Sequence, residues 1–247
     1  MGAIFGLMGD VEPALQEMKN RLAHRGRSSG EWISDSIVLG EWRHESEGNC
    51  LAVEQMVIVA DADIYNAKEV RNLLIGRGHT FETRRDAEVI LRGYLEFGLQ
   101  ICQHLVGDFA FAIWDPRRHV LVMARDALGS RPLFYWLDGK TFAFASEYKA
   151  LLALPFVPAQ PDYNAIQQLQ YTKYPPANQT LIKNIYSIPA GHSGEFKNGS
   201  LHTERYWHIT LDIKQAAEAQ HTKTLHDQFL DVVARQVGDR SQIGATL

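Results

Sequence analysis

The position in this chain best placed to do chemistry is residue 2. Met1-Gly2-Ala3-Ile4-Phe5-Gly6 reads as a short apolar strand that begins inside the core, although chain termini fray unless something ties them down. Once Met1 is removed, a buried N-terminus presents the α-amine of residue 2 beside its own side chain, where it serves as base for a hydroxyl or thiol. Here residue 2 is Gly2, so nothing is there to activate, and no Ser, Thr or Cys follows before Ser28. The plainer reading of the same stretch is an edge or core strand near a terminus. The two thiols, Cys50 and Cys102, make no disulfide framework, and reduced thiols of a cytoplasmic protein are the default. The ten histidines are scattered without ligand spacing, so no metal is predicted.

A chain of 247 residues with 45% apolar content can bury a large core in one or two domains. The formal net charge of −4 and the absence of a basic stripe exclude a nucleic-acid binder. Arg84-Arg85 and Arg117-Arg118 stand beside turn signals and read as solvated. No apolar run is long enough to span a membrane, and the N-terminus lacks the basic region of a signal peptide. Met1-Gly2 hints at myristoylation, but Gly6 stands where Ser or Thr is needed.

The elements that would position these residues follow from periodicity. A helix is expected to be capped by Asp10 and to carry Ala14, Leu15, Met18 and Leu22 inward, ending at Gly26. Residues 27–30 read as a polar loop, and 32–42 as two short strands around Asp35. A strand over 56–60 is stopped by Asp61-Ala62-Asp63. A helix over 67–77 turns Val70, Leu73 and Leu74 inward. A stronger one over 86–97 is capped by Asp86 and buries Val89, Ile90, Gly93, Tyr94 and Phe97. Strands over 109–114 and 119–124 flank a tight turn, and those over 133–136 and 141–146 flank Asp138-Gly139, the pair favoured in a type I′ turn. Aromatic crowding from Phe109 to Phe144 implies strands covered on both faces. A helix over 147–154 stops before Pro155, another lies near 163–170, and a final hairpin turns at 197–200. Beyond His208 come a linker over 209–220, an amphipathic helix over 222–237 with Leu225, Phe229, Val232 and Val233 inward, and a last strand over 243–247.

Several stretches in order carry a family resemblance. They include Ile4-Phe5-Gly6, His24-Arg25-Gly26, Arg43, Asp61-Ala62-Asp63-Ile64-Tyr65-Asn66 and Asp86-Ala87-Glu88. Gly107-Asp108-Phe109-Ala110-Phe111, Ala124-Arg125-Asp126-Ala127-Leu128-Gly129, Ala145-Ser146-Glu147-Tyr148 and Ile188-Pro189-Ala190-Gly191 complete the series. Residues 1–207 thereby resemble the class II glutamine amidotransferase domain of asparagine synthetases. Residues 208–247 resemble a linker, helix and first strand of the family's synthetase (ATP-pyrophosphatase) domain, broken off before its Ser-Gly-Gly-x-Asp-Ser loop.

The resemblance implies an α+β fold, the four-layer αββα sandwich of N-terminal-nucleophile hydrolases. It implies a cysteine at residue 2 that attacks the glutamine amide, an Asn-Gly oxyanion hole, an arginine on the substrate carboxylate and two acidic residues on its amine. Carried over, Arg43, Asp63 and Asp86 fall on the substrate-binding positions. Gly2 replaces the nucleophile, and Asp61 and Ala62 replace the oxyanion-hole pair. The implied function is an amidotransferase-like domain that does not hydrolyse glutamine itself and acts as structural partner of its own synthetase domain. Relatives with such a degenerate first domain include lactam synthetases and lasso-peptide cyclases. The alternatives are the glutaminase domain of a working asparagine synthetase seen as a mutant fragment, and a non-catalytic amino-acid-binding module. No cofactor is expected here, ATP and Mg belonging to the missing synthetase domain. Glutamine or a related amino acid is the implied small-molecule partner, and a homodimer is compatible with the resemblance.

Overall fold

The computed structural model describes residues 2–9, 15–34, 36–44, 50–173, 178–210 and 218–238. Two six-stranded antiparallel sheets lie face to face between helices. The first contains β1 (Ala3–Met8), β2 (Ser28–Ile33), β3 (Ile37–Arg43), β8 (Phe134–Leu137), β9 (Phe142–Ala145) and β10 (Ile185–Ser187), in the order β10-β8-β9-β1-β3-β2. The second contains β4 (Leu51–Val53), β5 (Met56–Ile64), β6 (Gly107–Asp115), β7 (Val120–Arg125), β11 (His192–Lys197) and β12 (Ser200–Arg205), in the order β12-β11-β7-β6-β5-β4.

Side-chain alternation along the central strands builds the four layers, because successive residues of a strand point to opposite faces. On β6, Ala110, Ala112 and Trp114 meet Ile4, Leu39, Val59 and Phe144 between the sheets. Phe109, Phe111 and Ile113 face outward against Val70 and Leu74 of α2 (Ala67–Ile75) and Val89 and Ile90 of α3 (Asp86–Phe97). On β1, Ala3, Phe5 and Leu7 face Met18 and Leu22 of α1 (Leu15–Leu22) and Ala150 and Leu151 of α4 (Tyr148–Leu151). This is the expected sandwich. Both faces of each central strand are covered, which is why these strands read as unbroken apolar runs.

Several elements differ from the sequence reading. β2 begins at Ser28, not at residue 32, and pairs with β3 from Ser28↔Arg43 to Ile33↔Val38; an edge strand tolerates the polar residues that read as loop. β5 runs through Asp61-Ala62-Asp63, because its ladder with β6 continues through Asp61↔Ala110 and Asp63↔Asp108. Tertiary pairing overrides the poor strand propensity of aspartate. Leu73 is exposed, leaving Val70 and Leu74 as the buried side of α2. The helix expected over 147–154 shortens to α4. The connection from β8 to β9 takes four residues, since Leu137 pairs with Phe142. Gly139 adopts φ +90° there, and Asp138 Oδ1 accepts from the backbone N–H of Lys140 and Thr141 at 2.9 and 2.8 Å. The two-residue turn with both φ positive is instead at Asn198-Gly199, between β11 and β12.

α5 (Tyr163–Thr172) matches its expectation and is capped by Asp162, whose side chain accepts from Asn164 and Ala165. α6 (Glu218–Val237) begins earlier than expected, and Leu225, Phe229, Val232 and Val233 are exposed, not inward. Leu225 and Phe229 are the more exposed, Val232 and Val233 being partly covered, and Arg235 of the same helix lies 3.9 Å from Glu69 of α2. The Asp10 cap, the Asp35 turn and the strand over 243–247 lie outside the described residues. No helix among the described residues is long and apolar enough to cross a membrane.

Candidate functional site

A cleft of about 350 Å³ opens where the starts of β1 and α3 meet the end of β3 and the second half of β5. All six residues singled out from the sequence line it: Gly2, Arg43, Asp61, Ala62, Asp63 and Asp86. Among the described residues lining it, none carries a hydroxyl or thiol.

Gly2 is held from three sides. Its N–H donates to Asp61 Oδ1 at 2.9 Å, and its carbonyl accepts from Arg25 Nη1 at 3.2 Å. Arg25 is itself paired with Glu147, which also takes His24 Nε2 at 2.8 Å and Lys149 Nζ at 2.9 Å. Burial alone would raise the Glu147 carboxyl, but this cationic ring outweighs it and lowers its pKa to about 2. The third side is steric: a Cβ on residue 2 would stand 2.6 Å from the Trp42 carbonyl oxygen. The chain approaches β3 this closely because residue 2 has no side chain.

Asp61 is 5% exposed. Oδ1 takes Gly2 and lies 3.8 Å from Arg131 Nη1, while Oδ2 is buried with no hydrogen-bond partner among the described residues. Asp86 does not cap α3. It is the first helical residue, and its Oδ2 accepts from the Ile64 N–H at 2.7 Å, tying the helix to the end of β5. The entry to α3 is closed by Glu88, which accepts from the N–H of Glu82 and Thr83 at 2.9 and 2.7 Å and from Thr83 Oγ1 at 2.7 Å. Burial raises the Glu88 carboxyl, and these bonds together with Arg92 bring it below its ordinary value.

Two charged neighbours of the cleft were not anticipated. Glu41 is fully buried, with Oε1 2.6 Å from Arg85 Nη2 and 3.4 Å from Arg43 Nε, and Oε2 accepting from the Ala60 N–H at 3.2 Å. Arg85 is therefore paired at the cleft and is not a solvated turn residue. A signal for Glu41 existed: it shares a strand face with Ile37 and Leu39, so the period of two places its carboxylate inside, where it needs a cation. Arg131 also lines the cleft. Its loop is drawn together by Asp126, which accepts from the N–H of Phe109, Leu128, Ser130 and Arg131 at 2.9–3.3 Å. Arg125 clamps the same loop by donating to the carbonyls of Gly129, Arg131 and Ile188.

Cys50 and Cys102 are buried and free, and burial pushes both thiols up to about 12, with Glu41 adding to the effect at Cys50. Neither lines the cleft. Among the described residues, no group of three or more His, Cys, Asp and Glu could hold a metal ion.

Residues 1–207 match the family model described as a glutamine amidotransferase domain. Asparagine synthetase (glutamine-hydrolyzing) 3 of Bacillus subtilis (strain 168) is 34% identical over 183 residues, which cover 73% of this chain and 30% of that protein. Asparagine synthetase (glutamine-hydrolyzing) 1 of the same strain is 29% identical over 247 residues, covering 96% of this chain and 39% of that protein. The chain thus spans 30–39% of the length of these curated relatives. Among solved structures, a glutamine phosphoribosylpyrophosphate amidotransferase from B. subtilis superposes with a TM-score of 0.61 at 16% identity, covering 83% of this chain and 49% of the other. That likeness is one of fold.

Proposed function

Since the chain belongs to the glutamine amidotransferase domain family, in the form carried by asparagine synthetases, we propose that it keeps the family's cleft without hydrolysing glutamine. The observation that carries this is the cleft wall, whose described residues offer no hydroxyl or thiol and which leaves a Cβ on residue 2 only 2.6 Å from the Trp42 carbonyl oxygen. Gly2 stands in the nucleophile position, and without a nucleophile there is no covalent step. Asp61 and Ala62 stand in the oxyanion-hole position. Loss of one oxyanion donor costs about 100- to 1000-fold in rate, roughly 3–4 kcal/mol, and an ionised Asp61 adds repulsion to a developing oxyanion. Arg43 is the residue suited to a ligand carboxylate, by bidentate donation, and Asp63 and Asp86 are suited to an α-amine.

In this reading, residues 1–207 are the first domain of an amide-forming ligase and residues 208–247 the start of its synthetase domain. The exposed apolar residues of α6 support this. Its free, buried thiols suit the cytoplasm. ATP and Mg would be bound by the synthetase domain, and the amine would be carried by the acceptor substrate. A second reading, the glutaminase domain of a working asparagine synthetase altered at residue 2, is favoured by the names of the relatives. Ammonia release from glutamine by the Gly2→Cys variant separates the two. The proposal expects none above background from this single change; release at rates typical of enzymes, about 1 per second or faster, would establish the second reading.

A further inference from the structure

Glu41 is a carboxylate buried behind the wall of the cleft, and it faces two of the four guanidiniums that line it, those of Arg43 and Arg85. Its Oε1 lies 2.6 Å from Arg85 Nη2 and 3.4 Å from Arg43 Nε, and the side chain has no exposed surface. Burying a carboxylate is costly unless cations and hydrogen bonds compensate for the lost water. Glu41 therefore holds Arg85 by a short hydrogen bond and Arg43 by a longer ion pair. The Ala60 N–H, donating to Oε2 at 3.2 Å, fixes the carboxylate so that it does not follow the arginines outward.

We propose that Glu41 acts as an internal anion, hydrogen-bonded to Arg85 and ion-paired with Arg43, and that by offsetting one of their two charges it weakens the hold of the cleft on the carboxylate of a free amino acid. The inference rests on the reading of the cleft as a former amino-acid pocket and goes beyond it by naming what now fills the carboxylate subsite. A ligand carboxylate entering the cleft has to draw the guanidiniums away from a partner that cannot be rehydrated. Arg85 alone would have added a positive charge and improved anion binding. Together with Glu41 it cancels that charge and holds the pair against the wall.

The test uses the whole chain and calorimetry with two probes. One is L-glutamine; the other is glutaramate, which keeps the carboxylate and amide but has no α-amine. In Glu41→Gln the arginines lose their internal anion, and glutamine should bind about tenfold tighter or more than to the unaltered chain. The gain should disappear when Arg43→Ala is added. Because Glu41→Gln leaves an amide facing two cations, Glu41→Met with Arg85→Met provides a second background in which, of these three side chains, Arg43 alone remains charged. Buried ion pairs replaced by apolar residues of similar size commonly keep their fold. If both variants, folded by circular dichroism, bind neither probe, the internal anion is refuted. It is equally refuted if the unaltered chain binds glutamine through Arg43 with no gain on Glu41→Gln, although the amino-acid pocket then stands. If Glu41→Gln gains glutaramate as strongly as glutamine, the internal anion stands, and Asp63 and Asp86 lose their assignment to an α-amine.

Discussion

Replacing Glu147 with Gln should loosen Gly2 and remove a defined share of the protein's acid sensitivity. Glu147 is the only anion in the ion pairs described between it and Arg25, His24 and Lys149, and Arg25 in turn donates to the Gly2 carbonyl. Its carboxyl is lowered from 4.5 to about 2. At about 1.4 kcal/mol per unit that is an upper limit of about 3.5 kcal/mol. The side chain is 22% exposed and His24 is half exposed, so solvent screening reduces the contribution to about 1–2 kcal/mol. In a domain of this size that corresponds to a fall in Tm of about 2–8 °C. A carboxylate whose pKa is depressed in the folded state stabilises fully above the unfolded value and loses that contribution as pH drops toward the folded value. The Tm difference between the native chain and Glu147→Gln should be complete near neutral pH, shrink from 4.5 downward and vanish close to about 2. Differential scanning calorimetry across that range measures it. A difference that is absent at neutral pH, or that persists unchanged at the acid end, refutes the claim that the ionised Glu147 anchors this corner.

Asp126→Asn should cost about 2–4 kcal/mol, because an amide nitrogen replaces an acceptor for backbone N–H groups that become unsatisfied; urea unfolding with an unchanged m-value reads it. Gly2→Ala should lower stability by about 1–3 kcal/mol, the Cβ displacing the Trp42 carbonyl or breaking the Asp61 bond; a Tm equal to the native one would show that residue 2 has room. Cys50 and Cys102, with thiols pushed up to about 12, should resist alkylation at mildly alkaline pH in the folded chain and react fully in guanidinium; mass spectrometry of iodoacetamide adducts counts them.

Much of the fold is legible in composition and spacing. The hairpins of β6 with β7 and β11 with β12, and the helical stripe of Val89, Ile90 and Tyr94, follow from short-range periodicity and turn residues. Asp61, Ala62 and Asp63 could be aligned with a family pattern, but reading them as the end of a strand failed. Their place in β5 depends on β6, more than forty residues further along. Asp86 could be recognised as a residue at a helix start, yet its Oδ2 accepts from Ile64 on a neighbouring strand.

From the order of residues alone follow the succession of apolar strands and amphipathic helices, the absence of a side chain at Gly2 and the presence of Arg43, Asp63 and Asp86 as polar groups near strand and helix ends; the sandwich was implied by the family resemblance. These are local properties, set by side-chain chemistry and by periods of two or 3.6 residues. Which charges meet was decided only by packing. Glu41 finds Arg85 across 44 residues and Gly2 finds Asp61 across 59. Such pairs form because a carboxylate buried by its strand must take whichever cation or N–H the opposing layer brings within reach.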